Sequence, residues 1–133
     1  MSTNLDLVRS IFADWERGDW SRAEWADPDV DLVFADGPSP GCYRGLAAMA
    51  DVWRDMLRNY EDYRVQAEEY RELDDERVLV LLHNSGRGKY SGVKIELLAV
   101  KSANVFHVRD GRVTRLVAYW DRDRAFADLG LEA

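Results

Sequence analysis

Few residues of this chain are suited to moving a proton, and they stand far apart. Asp36 closes a short alternating stretch and precedes Gly37-Pro38. A carboxylate there is an ordinary turn residue. At the mouth of a pocket it is also a base able to carry a proton between carbons of a bound molecule. Asn104 sits among Ala103, Val105 and Phe106 and needs a partner if buried. Its amide is neutral at every physiological pH and can donate a hydrogen bond. His83 ends a continuous apolar run, and His107 alternates with Asn104 and Phe106. If those two face inward, His107 faces outward. Cys42 lies beside Tyr43 with no histidine near in sequence to activate it. No metal-ligand spacing is present and no cofactor is expected. Ser85-Gly86-Arg87-Gly88-Lys89 is like a phosphate loop only superficially, because it lacks the strand–loop–helix setting.

These residues must be held by the elements that the patterning predicts. Val8, Ile11, Phe12 and Trp15 follow helical spacing, with Thr3 or Asn4 as cap and Gly18 as the stop. A short second helix is expected from Ser21, ending at Asp27-Pro28. Val30, Leu32 and Phe34 alternate with Asp29, Asp31 and Val33 as a strand with one buried face. Asp36 to Gly41 is a loop. Leu46 to Tyr60 reads as a helix carrying Met49, Val52, Trp53, Met56 and Tyr60 as its apolar stripe. Strands follow at Tyr63 to Leu73, Val78 to Leu82, Val93 to Val108 and Val113 to Trp120. The second of these is buried on both faces, and Ser85 to Gly92 is a flexible connection. Asp110-Gly111 is a hairpin signal, and Arg124 to Leu129 reads as a closing helix ending at Gly130. Helices grouped before hairpins indicate an α+β fold, one curved antiparallel sheet with helices across its concave face.

Composition narrows the function. The net charge of −7 repels phosphate backbones, so nucleic acid is not an expected partner. No apolar run reaches the ~18 residues of a membrane span, so no membrane partner is expected. Met1 to Asp6 lacks the basic start and apolar run of a signal peptide, and Cys42 is the one cysteine. The expectation is a single domain in the reducing cytoplasm. Met49, Trp53 and Met56 share a helix face, Phe106 shares the face of Asn104, and Ala118 and Trp120 share a face of the last strand. With Tyr43 they would form an apolar cup with few polar groups, the usual form of a small-molecule site.

The chain resembles the nuclear-transport-factor-2-like superfamily in its SnoaL-like branch. The resemblance is carried by Ala13-Asp14-Trp15-Glu16-Arg17-Gly18-Asp19-Trp20, by Tyr43-Arg44-Gly45, by Val105-Phe106-His107-Val108-Arg109-Asp110-Gly111-Arg112-Val113 and by Tyr119-Trp120-Asp121-Arg122. It implies a cone-shaped fold and a homodimer through the sheet's outer face. By resemblance to ketosteroid isomerases, Asp36 takes the place of the general base, nine residues before Gly45. Asn104 takes the place of the protonated acid that donates to the enolate. Ile11 stands where those enzymes have a tyrosine, which argues against steroid-type isomerisation at full strength, and by the same resemblance the indole N–H of nearby Trp53 would be the donor instead. Epoxide-hydrolase chemistry would need two aspartates and an arginine where this chain has Ser102, Asn104 and Ala118. Three readings stay open. One is a cofactor-independent isomerase, cyclase or dehydratase acting on a small hydrophobic or polyketide-like molecule. The second is a non-catalytic binding domain using the same cup, and the third is a dimerisation module.

Overall fold

The computed structural model describes residues 3–36, 40–88 and 96–131. Helix α1 (Thr3–Glu16) buries Val8, Ile11, Phe12 and Trp15. The chain leaves it through Gly18, whose φ of 81° only glycine adopts at no cost, and the Gly18 N–H donates to the Trp15 carbonyl at 2.9 Å. The short helix expected from Ser21 does not form. Asp19 accepts from both the Ser21 backbone N–H and its hydroxyl, at 3.0 and 2.6 Å. That local turn competes with helix for the same backbone donors.

Strand β1 (Ala26–Phe34) begins earlier than its alternation suggested and runs through Pro28. Proline is tolerated there because the pairing register slips between Ala26 and Asp31. A short edge strand, β2 (Gly41–Arg44), occupies part of the expected loop. Helix α2 (Leu46–Asn59) follows, then β3 (Tyr60–Glu72), β4 (Arg77–Gly88), β5 (Glu96–Arg109), β6 (Arg112–Tyr119) and helix α3 (Arg122–Leu129). The expected hairpin joins β5 to β6 through Asp110 and Gly111, at φ 52° and 75°. Two successive left-handed residues match the twist of the flanking strands. Asp121 caps α3 by accepting from the Asp123 N–H at 3.0 Å, and Gly130 closes it at φ 69°.

The six strands form an open sheet in the order β2-β1-β6-β5-β4-β3. It is mixed rather than wholly antiparallel, because β1 and β6 run parallel, Leu32 beside Leu116 and Phe34 beside Ala118. Register shifts put extra residues into β3, β5 and β6, and each bends its strand. These long strands curl around α1 and α2 to give the cone.

Strand parity divides the interior in two. Val78, Val80, Leu82, Phe106 and Leu116 face α1 and α2. Leu79, Leu81, Ala103, Val105 and Val117 face the other way and are covered by Ala125 and Phe126 of α3. Asn4 ties α1 to the far end of the sheet, its amide donating to the Asp75 carbonyl at 2.7 Å. Among the described residues no helix is long and apolar enough to cross a membrane.

His107 lies on the outer face, as its parity implied, with Arg77 and Arg115 as its cross-strand neighbours. Burial holds its pKa below 6.5, and Arg115 and Arg77 push the same way against Asp74 and Glu76. The folded state therefore resists a proton that the unfolded chain accepts. Between the lowered folded value and 6.5 the unfolded state binds more protons, so stability falls as pH drops through that window. Replacing His107 with Gln removes this dependence. Denaturation midpoints of wild type and variant should diverge in the variant's favour as pH falls below 6.5, and equal slopes would contradict it.

Candidate functional site

A cavity of about 580 Å³ opens between the two inner helices and the concave side of the sheet. That is within the ordinary range for a small-molecule site. Helix α2 lines its mouth with Ala48, Asp51, Val52 and Asp55. Their i, i+3, i+4, i+7 spacing puts all four on one face. Across the mouth stand Asp36 at the end of β1, Tyr43 on β2 and Trp120 just past β6.

The aromatic wall is built by mutual packing. Trp15 stacks on Trp20 with ring centroids 4.8 Å apart and planes at 15°, and Trp53 stands edge-on to Trp15 at 5.6 Å. Trp20 also meets Trp53 at 5.6 Å and Tyr63 at 5.8 Å. Aromatic pairs of this kind add about 0.5–1.5 kcal/mol beyond their area. The indole N–H groups of Trp20 and Trp53 have no hydrogen-bond partner among the described residues, and solvent does not reach them. Trp53 lines the cavity, and its N–H is left without a protein partner among the described residues. Trp25, in contrast, donates to the Arg22 carbonyl at 2.9 Å.

One strip of the wall is polar. The Tyr63 hydroxyl donates to Asn84 Oδ1 at 3.2 Å, and Asn84 Nδ2 donates to Ser102 Oγ at 2.8 Å. Asn84 and Ser102 are 8% and 3% exposed, and they are the buried polar residues of the interior among those described. A buried amide and hydroxyl persist because each satisfies the other. Ser102 and Asn104 lie two residues apart on β5 and line the same cavity, so the strip continues to Asn104. Among the described residues no hydrogen bond engages the Asn104 side chain, which leaves its amide available to a ligand.

Asp36 does more than line the mouth. One carboxylate oxygen accepts from the Trp120 N–H at 2.6 Å and the other from the Asp121 N–H at 3.1 Å. It thereby fixes the end of β6 and the start of α3. Immediately beyond, Arg122 reaches across the outer side of the sheet. Its guanidinium donates to the Leu82 carbonyl at 2.9 Å, the Ser102 carbonyl at 3.3 Å and Glu68 at 2.7 Å. This hydrogen bond from Arg122 holds the Glu68 carboxyl below its usual value. His83 approaches the same Glu68, at 3.9 Å, and so lies on the outer face away from the cavity.

The residues picked from the sequence therefore divide. Asp36, Asn104, Trp53, Ala118, Trp120 and Tyr43 come together around the cavity. Met49 and Phe106 do not line it. Both are sealed in the core, Phe106 edge-on to Phe12 of α1 at 5.8 Å, so they support the cup instead of forming its surface. Met56 falls on α2, but its side chain lies outside the described residues. The sequence reading misses Tyr63, whose strand reads as mostly polar, Asn84, which lies just past the expected apolar strand, and Ser102, which enters only as a mismatch to epoxide-hydrolase chemistry. It also missed Asp51 and Asp55, whose helical spacing with Ala48 was a usable signal. Among the described residues no group of acidic, histidine or cysteine side chains could hold a metal ion.

Comparison with known proteins agrees with this architecture. A protein of unknown function from Burkholderia pseudomallei, described as NTF2-like, superposes with a TM-score of 0.77 at 22% identity, covering 96% of this chain and 97% of that one. TerC, crystallised with polyporic acid, gives 0.73 at 21%, covering 96% and 98%. A protein from Catenulispora acidiphila with a ketosteroid-isomerase-like fold, in complex with trimethylamine, gives 0.71 at 15%, covering 96% and 94%. At such identities the likeness is one of fold. No curated protein matches the chain. Residues 8–116 match the SnoaL-like domain, and the chain belongs to that family.

Proposed function

We propose that this protein binds a small, planar, largely hydrophobic molecule in the cavity. The molecule would present an acceptor oxygen to Asn104 and Ser102. The carrying observation is the satisfied polar strip Tyr63–Asn84–Ser102 set into an otherwise aromatic wall. A core built only for stability has little use for such a strip, since burying polar groups costs free energy even when they are paired. TerC and the Catenulispora protein were each crystallised with a small molecule, which supports the same use of the fold. A homodimer is part of the proposal. It would use the half of the outer face beside α3, which carries Glu68, His83 and Arg122. A cytoplasmic setting accords with one exposed cysteine.

A second reading, proton transfer, is favoured by Asp36 and Asn104 lining one cavity. Here Asp36 would be the base and Asn104 the donor to the developing oxyanion. Its weakness is the duty Asp36 already performs, since both its oxygens accept backbone N–H groups. The Asp36→Asn exchange would set an NH2 group against a backbone N–H. Both Asp36→Asn and Asp36→Ala should lower stability, by about 1–2 kcal/mol, through the lost acceptors. Urea denaturation measures this, and an Asn variant as stable as wild type would remove the clamp from the account.

Four tryptophans around the cavity make intrinsic fluorescence a direct reporter. A naphthyl methyl ketone should quench it saturably at one molecule per chain. Ala118 pairs with Asn104 across β5 and β6, so Ala118→Phe fills the space beside the amide. That variant should keep its circular dichroism and lose at least ten-fold in affinity. No saturable quenching by any planar naphthyl probe, neutral or charged, would end the binding proposal. For the proton-transfer reading, the test is deuterium uptake at the ketone's α-carbon, followed by NMR. Accelerated uptake that is lost in Asn104→Leu, which leaves the Asp36 clamp untouched, supports catalysis. Uptake at the solvent rate ends that reading.

A further inference from the structure

Building on the binding reading above, we infer that the cavity selects its ligand by charge, taking an organic cation in preference to an anion and holding the cationic nitrogen at the acidic, aromatic mouth. The mouth carries three carboxylates. Asp51 and Asp55 sit one helical turn apart on the cavity side of α2, and Asp36 stands across from them. Two like charges at that spacing weaken a helix slightly, an effect that the Asp51–Arg54 pair offsets only at Asp51. Asp51 shares its charge with Arg54 at 3.0 Å on the solvent side, and Asp36 is engaged by backbone. Asp55 is exposed, and no cation pairs with it among the described residues.

The rest of the lining sharpens the choice. Among the described residues that surround the cavity there is no lysine, arginine or histidine. A carboxylate or phosphate entering would lose hydration and meet no counter-charge. A positive nitrogen would meet the opposite situation. Tyr43 and Trp120 stand at the mouth with the carboxylates, and ring faces attract desolvated cations. The deep end differs, because Ser102, Asn84 and Asn104 are neutral. The cavity therefore has a polarity gradient, neutral donors and acceptors inside and negative charge outside. A ligand matching both ends has a planar body, an acceptor oxygen at one end and a protonated or quaternary amine at the other. The net charge of −7 adds long-range attraction for such a ligand.

Three probes of one skeleton test this: naphthylmethyl-trimethylammonium, naphthyl methyl ketone and naphthoate, titrated into the full chain with tryptophan fluorescence as readout. The cation should bind at least ten-fold tighter than naphthoate and tighter than the ketone, with the advantage shrinking at high salt. The double exchange Asp51→Asn with Asp55→Asn alters only exposed helix positions. It should bring the cation-to-naphthoate ratio to within about three-fold. Naphthoate or the ketone binding as tightly as the cation, or a ratio unmoved by the double exchange, would overturn the inference while leaving the binding reading intact. Failure of all three probes to bind would remove both.

Discussion

Everything at the open end of this fold hangs on the Asp36 carboxylate. It accepts the backbone N–H groups of two successive residues, Trp120 and Asp121, on its two oxygens. The first sits at the end of β6 and the second caps α3. The same contact closes the parallel β1–β6 pair, in which Phe34 lies beside Ala118. A parallel pair cannot be closed by a tight turn, and here its partners are far apart in the chain. A charged acceptor on two backbone donors is among the stronger ways to lock such a junction. Arg122 continues the lock on the outer side by gripping carbonyls of β4 and β5. Trp120, Ser102 and Asn104 therefore keep their places because residues 120–122 are held from both sides.

The sequence shows most of the fold because strand parity and helical spacing are imposed locally. Val8, Ile11, Phe12 and Trp15 cannot lie on one side of anything but a helix. Asp110-Gly111 adopts the left-handed pair that its residue types favour. The errors share a cause, which is pairing that no local pattern announces. β2 is four residues long, mostly exposed and exists because β1 offers it a partner. The parallel register of β1 on β6 is likewise set by residues some 85 positions away. Asp19 captured Ser21 and removed a helix that its spacing had suggested. In the site, side chains whose role depends on one neighbour were visible, and those in a three-strand chain were not. Tyr63, Asn84 and Ser102 become a unit only when β3, β4 and β5 are side by side.

The cavity survives because its large side chains brace one another. Trp15, Trp20 and Trp53 lean together on the α1 side, with Phe106 and Phe12 behind them. Facing them on β5 and β6 are Ser102, Asn104 and Ala118, all too small to reach across. Bulk on one wall and small residues on the other leave a space that collapse would close only by breaking ring contacts. Filling such a gap with one larger side chain would be an easy route to extra stability. Its retention is therefore more readily explained by use than by packing.

The two ends of the cavity also constrain each other. Deep in the sheet a charge would be unpaired and costly, so specificity there must come from neutral groups whose own hydrogen bonds are met. Asn84 and Ser102 fulfil this by pairing together. At the mouth, exposure allows charge, and α2 presents it from two positions that its own helix does not favour. Water screens those carboxylates, so what they add is mainly direction. An entering molecule is turned charged end outward before its body meets the aromatic wall. Because Asp36 is the one acidic group of the mouth that is also structural, tuning the site through it would move the sheet. Variation in ligand choice is cheapest at Asp51 and Asp55, where a change of charge leaves the junction, the polar strip and the core untouched.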